Sequence, residues 1–268
     1  MARFIRAAWG LLLASPIWAV GATYKAYNTY LHPPFVLPDG GGMAAELVDA
    51  LNRRLGEDQF VLVNVPRARF IALANKSQGR IDGIALFLSP QFLKEPLARR
   101  VSWSGPLFTD HNVLVFRPGE VPASPLPASL RAKRFGAVRG HVYHQLDGMA
   151  RRGEVRYEEV GDEMTNLRKL MAGRIDFTLL NRLHFRALAE STPALGRLVA
   201  TPLPDGDFVR YILLSSRLPA ETAQRVAAAV EALPRDAAWQ AILARYGVVP
   251  AGPVARILST LPPAQSPR

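Results

Sequence analysis

Hydrophobic positions divide this chain into an apolar leader followed by two successive series of alternating strand and helix patterns. Residues 7–20 are almost wholly apolar, after a short basic start that carries Arg3 and Arg6. The small residues Gly21 and Ala22 follow, and polar alternation begins at Thr23. Residues 24–28 alternate as a strand does, whereas the prolines of Tyr30-Leu31-His32-Pro33-Pro34-Phe35 bar regular structure there. Asp39-Gly40-Gly41-Gly42 reads as a turn. Leu47, Ala50, Leu51 and Leu55 recur at helical spacing over residues 44–55, and Gly56 closes the run. A strand is expected over 60–65, a helix over 67–74, and a nearly all-apolar strand over 81–88, as in a sheet covered on both faces.

After a strand at 113–116, residues 118–127 are rich in proline and small side chains and read as a connector. The second series has a strand at 135–138, a helix after Gly140, a helix over 163–171, a buried strand over 175–180 and a strand over 211–214. Closing helices are expected over 220–233 and 237–246, with Gly247 ending the second. Residues 250–268 hold five prolines and read as a flexible tail. Strands and helices alternating in this way argue for α/β architecture. One short string recurs: Gly79-Arg80-Ile81-Asp82 reappears as Gly173-Arg174-Ile175-Asp176, each time between a helix and an apolar strand. The repeat, on either side of the connector, points to two similar α/β lobes.

The leader has the three parts of a secretory signal peptide: a basic start, an apolar core and small residues before a cut. We expect residues 1–22 to be removed after Ala22, with Gly21 the next choice. A membrane anchor is the alternative, but the apolar run is shorter than the ~20 residues of a spanning helix and Pro16 interrupts it. No other run approaches spanning length, so the mature chain is expected to be soluble and to work outside the cytoplasm. The chain has 268 residues and no cysteine, which excludes disulfides, thiolate metal sites and a lipoprotein anchor. Its net charge of +11 comes mostly from scattered Arg beside acids, as in Arg151-Arg152-Gly153-Glu154, with no basic stripe and no interleaved aromatics. We expect no nucleic-acid partner. His32, His111, His141, His144 and His184 show no metal-ligand spacing, and no Gly-x-Ser-x-Gly or phosphate loop is present, so no metal, cofactor or catalytic constellation is expected.

Several segments stand in an order and spacing that are specific when taken together. They are the Tyr30–Phe35 string, Gly42 to Gly56 (GMAAELVDALNRRLG), Gly79-Arg80-Ile81-Asp82-Gly83-Ile84 and Val101-Ser102-Trp103-Ser104-Gly105-Pro106-Leu107. Gly136-Ala137-Val138-Arg139-Gly140, residues 170–176 and Ile242-Leu243-Ala244-Arg245-Tyr246-Gly247 complete the set, and together these segments resemble the family 3 extracellular solute-binding proteins, best known as the receptors of polar amino-acid ABC transporters. The resemblance implies a type II periplasmic-binding-protein fold, two α/β lobes joined by a two-segment hinge. Lobe 1 would be residues 23–117 and 215–249, lobe 2 residues 118–214, with crossings near 115–118 and 213–216. It implies a monomeric receptor that captures a small polar or anionic, amino-acid-like metabolite between the lobes, hands it to an inner-membrane ABC permease, and does no chemistry. Two positions depart from the family. Its carboxylate-clamping Arg falls on Leu97 with Lys94 at the paired Thr position, and its amino-group Asp falls on Asn181. An α-amino acid is therefore not implied.

Candidate binding residues follow. Tyr30 and Phe35 stand where the family places an aromatic wall. Arg67 and Arg69 begin a helix after Pro66 and suit a carboxylate or phosphate. Phe87 and Ser89 end a buried strand at the edge where open α/β sheets bind ligands. Trp103 is wall or core. Arg139, Gly140, His141 and Tyr143 form a strand–turn–helix junction whose free N–H groups favour an anion, and Asn181 and Arg182 end the second buried strand. Two alternatives share this fold: a periplasmic enzyme similar to cyclohexadienyl dehydratases, with Glu163 or Asp110 as acid or base, and a ligand-sensing module for a membrane partner.

Overall fold

A computed structural model describes residues 21–123 and 126–248. The expected signal segment up to residue 20 and the expected tail from 250 lie outside the described residues. The elements run β1 (Thr23–Asn28), α1 (Met43–Leu55), β2 (Gln59–Asn64), α2 (Arg67–Lys76), β3 (Gly83–Leu88), β4 (Ser102–Trp103) and β5 (Phe108–Phe116). They continue with β6 (Arg134–Val138), α3 (His144–Arg151), β7 (Arg156–Val160), α4 (Glu163–Met171), β8 (Phe177–Asn181) and α5 (Arg182–Ser191). The chain closes with β9 (Val199–Leu214), α6 (Ala220–Ala232) and α7 (Ala237–Arg245). Among the described residues no helix is long and apolar enough to cross a membrane.

Two lobes form around the two parallel triplets. β1 pairs in parallel with β2 and β3, and β6 pairs in parallel with β7 and β8. The strand order is β2-β1-β3-β9-β5-β8-β6-β7. Every residue of β3 is buried because both faces are covered. On one face lie α1, α6 and α7, packed through Leu47, Leu51, Val226 and Trp239; on the other lies α2, through Phe70 and Ala74. A fully buried side chain such as Phe70 contributes about 1.5–3 kcal/mol of transfer free energy. Lobe 2 repeats the scheme with separate clusters around Phe135 and Phe177 and around Leu167 and Ile175.

The repeated Gly-Arg-Ile-Asp string has the same structural task in both lobes. Gly79 and Gly173 take φ of +82° and +70°, the left-handed turn after α2 and α4. Ile81 and Ile175 are buried, and each aspartate reaches the first residues of the neighbouring parallel strand. Asp82 pairs with Lys25 at 3.2 Å, and Asp176 accepts the backbone N–H of Arg134 at 2.7 Å and its guanidinium at 2.8 Å.

The lobes are joined by β9 and β5, which pair antiparallel along most of their length. On β9, Tyr211 to Leu214 pair with β3 and β4, whereas Val199 to Arg210 pair with β5. The change of partner falls near Arg210 and Tyr211, several residues before the expected crossing at 213–216. On β5, pairing with β8 begins at Asn112, so the strand has changed lobe before the expected 115–118. Sequence patterning saw only the last four residues of β9. Pro202, Pro204, Asp205 and Gly206 mask the rest as a loop, and a bulge between His111 and Val113 accommodates them.

Candidate functional site

Two connected chambers lie between the lobes. The outer, of about 380 Å³, opens past Pro66, Arg139 and Met164. The inner recess, of about 70 Å³, ends against Asn112, Phe208 and Arg210. Six residues line both: Tyr30, His32 and Arg67 from lobe 1, and His141, Glu163 and His184 from lobe 2.

Their placement follows from local structure. Tyr30 and His32 sit on the proline-rich loop after β1, held because Asn28 donates its side-chain N–H to the Tyr30 carbonyl at 3.0 Å and accepts the Tyr30 N–H at 3.1 Å. Arg67 opens α2, and its guanidinium donates to the Phe92 carbonyl at 2.9 Å. Among the described residues no acid stands within ion-pair distance of it. Glu163 opens α4, whose N-cap Asp162 accepts the N–H of Thr165 at 2.8 Å. His184 stands in the first turn of α5, and the side chain of the N-cap Asn181 accepts its N–H at 3.1 Å.

The floor is a buried cation. Arg210 is fully buried; its Nε donates to Asp110 Oδ2 at 2.9 Å and its Nη1 to the Phe87 carbonyl at 2.9 Å. Nη2 lies 2.9 Å from the same aspartate oxygen, off the hydrogen-bond line. The rings of Tyr30, Phe35 and Phe208 surround the guanidinium at 4.5, 4.7 and 5.0 Å, a cation–π cage. Asp110 also accepts a hydrogen bond from Asn181.

The cleft carries a histidine cluster. The rings of His32 and His184 stack across the lobe boundary at 3.3 Å between centroids, and His141 Nε2 stands 3.9 Å from Glu163 Oε1. Burial dominates their ionisation. It lowers His32 to about 4, with Arg210 adding repulsion, and lowers His141 to about 3, with Arg67 and His32 adding repulsion. His184 falls well below its ordinary value for the same first reason, and burial raises Glu163. The imidazoles are neutral near pH 7.

Of the residues singled out in the sequence, Tyr30, Arg67, His141, Tyr143 and Asn181 line the inner recess, and Arg139 stands at the outer mouth. Tyr143 is mostly committed to the fold, its hydroxyl accepting the Val138 N–H at 2.8 Å. Asn181 is likewise committed as a cap and as a donor to Asp110. The others lie elsewhere. Phe35 and Phe87 are wholly buried beneath the site, Ser89 is buried at the start of a short turn, and Trp103 packs against Tyr211. Arg69 is exposed, because the helical turn of α2 that aims Arg67 inward aims its second neighbour outward. Gly140, with φ +84°, turns the chain beside Ala68 of the opposite lobe. Arg182 turns away from the chambers and donates to the Gly247 carbonyl at 3.2 Å, while Leu183 beside it enters the lobe 1 core. The expected anion site after Gly140 does not form: α3 begins only at His144, and the N–H groups of His141 and Tyr143 are taken by Val138 and Asp147.

Sequence reasoning missed Arg210, His32 and His184. Arg210 was visible as a lone cation in the apolar string Phe208-Val209-Arg210-Tyr211-Ile212, and His32 lies inside the loop already singled out. Their convergence is a property of the tertiary fold. Leu97, at the position of the family's carboxylate-binding Arg, is buried in the lobe 1 core, and Arg99 and Arg100 are exposed away from the chambers.

No protein-family model matches the sequence, and no curated protein matches it. Solved structures do match the fold. An ancestral arginine-binding protein bound to arginine superposes with a TM-score of 0.69 at 17% identity, over 85% of this chain and 99% of that one. A histidine kinase sensor domain with similarity to periplasmic binding proteins gives 0.70 at 20% identity, over 86% and 99%. The GluR0 ligand-binding core from Nostoc punctiforme, in complex with L-glutamate, gives 0.65 at 15% identity, over 84% and 99%. The chain therefore has the two-lobed α/β fold of the periplasmic binding proteins.

Proposed function

We propose that the protein is a binding receptor that closes its two lobes on a small polar metabolite carrying an anionic group. The observation that carries this reading is the lining of the cleft. Both chambers are walled by side chains from both lobes, so a ligand seated there is held by lobe 1 and lobe 2 at once. Arg67, without an acid partner, is the group that meets the anion, Tyr30 is the aromatic wall, and Arg139 stands at the entrance. An amino-acid-like ligand agrees with the arginine- and glutamate-bound proteins of the same fold. Binding without turnover, export to the periplasm and delivery to an ABC permease belong to the same reading. A neighbour of the same fold is the substrate-binding protein of an amino acid ABC transporter. A second reading, a sensory module for a membrane partner, is supported by the sensor-domain likeness.

A thermal-shift screen of amino acids and organic acids tests the proposal. A ligand stabilises the protein by RT ln(1 + [L]/Kd), so the melting temperature must rise with its concentration. Native mass spectrometry of protein purified without refolding identifies a retained ligand. No stabilising metabolite, or turnover of the one found, overturns the reading.

A further inference from the structure

His32, Glu163 and His184 are far apart in sequence, yet each places one donor atom within 4.8 Å of the other two. We propose that these three side chains bind a divalent transition-metal ion of the zinc class across the mouth of the inner recess. The proposal goes beyond the receptor reading and stands on the side chains alone.

Donor chemistry selects the metal. Two imidazoles and one carboxylate suit zinc, nickel or cobalt, whereas magnesium and calcium prefer all-oxygen shells. Around a tetrahedral zinc with metal–ligand distances of ~2.1 Å, donors stand roughly 3.4 Å apart. Closing from 4.8 Å requires the two rings to turn out of their parallel stack at 3.3 Å, because a bound metal lies in the plane of each imidazole, along its nitrogen lone pair. His32 is oriented for the task. Its Nδ1 lies 3.1 Å from the Pro33 carbonyl oxygen, which can only accept, so Nδ1 carries the proton and Nε2 keeps its lone pair. His184 is 4% exposed, and neither of its ring nitrogens hydrogen-bonds to another of the described residues. A buried imidazole without a hydrogen-bond partner, lining both chambers, suits a ligand position. The nearby cations do not forbid a metal, because Arg210 is neutralised by Asp110 and Glu163 supplies a negative charge opposite Arg67. Three protein donors leave a coordination position open toward the chamber. Since His32 belongs to lobe 1 and the other two to lobe 2, the ion would favour the closed arrangement.

The test uses tag-free protein stripped with a chelator, then dialysed against Zn²⁺, Co²⁺ and Mg²⁺ separately. One Zn²⁺ retained per chain, visible d–d bands on Co²⁺ loading and no retained Mg²⁺ are expected. His184→Asn, His32→Asn and Glu163→Gln should each weaken Zn²⁺ at least about tenfold, while His111→Asn leaves it unchanged. Circular dichroism of each metal-free variant separates lost ligation from lost folding, and the Co²⁺ spectrum of the unsubstituted protein needs no variant. No retained Zn²⁺, or equal affinity in all three ligand variants and His111→Asn, overturns the site. The stripped protein is carried through the metabolite screen in parallel. A protein that binds a metabolite but retains no Zn²⁺ sinks this inference alone, and one that retains Zn²⁺ but binds no metabolite, stripped or loaded, sinks the receptor reading alone.

Discussion

Arg210 and Asp110 form an ion pair with neither side chain exposed, 2.9 Å apart on the two strands that join the lobes. The pair fixes the floor of the cleft and the junction between the lobes together. Two buried charges need each other: removing one partner of such a pair costs about 3–5 kcal/mol, because the other is left uncompensated. Asp110→Ala should lower stability by that amount in urea unfolding. The double variant Asp110→Leu with Arg210→Met should regain much of it, since replacing the whole pair by apolar groups is often neutral. A loss below about 1 kcal/mol in Asp110→Ala would contradict this assignment.

Asp176 predicts an acid limb. Its hydrogen bonds from Arg134 hold its carboxyl below the usual carboxylate range, outweighing partial burial. A depressed folded pKa stabilises the protein above the unfolded value of ~3.9, and that contribution disappears as pH falls through the lower folded value. Asp176→Asn should therefore melt below the parent protein at pH 7, with the two melting temperatures converging toward about pH 2. A constant gap from pH 7 to 2 would show that the charge is not responsible.

Gly83 predicts a backbone requirement. It has φ +130°, and a Cβ placed there would lie 1.9 Å from the Lys25 carbonyl oxygen on the adjacent strand. Gly83→Ala must push β3 from β1 or break their pairing, and destabilisation of roughly 1–3 kcal/mol is expected. A parental denaturation midpoint would contradict the close approach of the strands.

Ala68 predicts the closure. It is exposed on α2, and its Cβ stands 3.9 Å from where a Cβ on Gly140 of the opposite lobe would be. Ala68→Trp should leave folding stability within about 0.5 kcal/mol of the parent, as for surface changes generally. It should nonetheless hold the lobes apart, giving a larger radius of gyration by small-angle scattering in the presence of saturating ligand. An unchanged radius with full affinity would argue that ligand binding does not close this gap.

The sequence carried the lobes better than the site. Helical spacing placed α1, α4, α6 and α7 within a residue or two, and the repeated Gly-Arg-Ile-Asp string located the mouths of β3 and β8. These are local signals: a period, a left-handed glycine, an aspartate beside the next strand. β7 and α5 were missed, since Arg156–Val160 is short and polar and α5 follows β8 with no intervening turn residue. The site was legible only where it lay inside a marked motif, as with Tyr30, Arg67 and His141. Arg182 was misassigned because its position at a strand end says nothing of the direction of its side chain, which is set by the docking of α5 on lobe 1.

Isothermal titration of the screened metabolite into the parent protein and into Arg67→Ala tests the central claim most directly. If the cleft binds an anionic group through Arg67, one site per chain is expected in the parent, and affinity should fall by about tenfold or more in the variant, as for loss of a charged hydrogen bond. Equal affinity in the two proteins would contradict it.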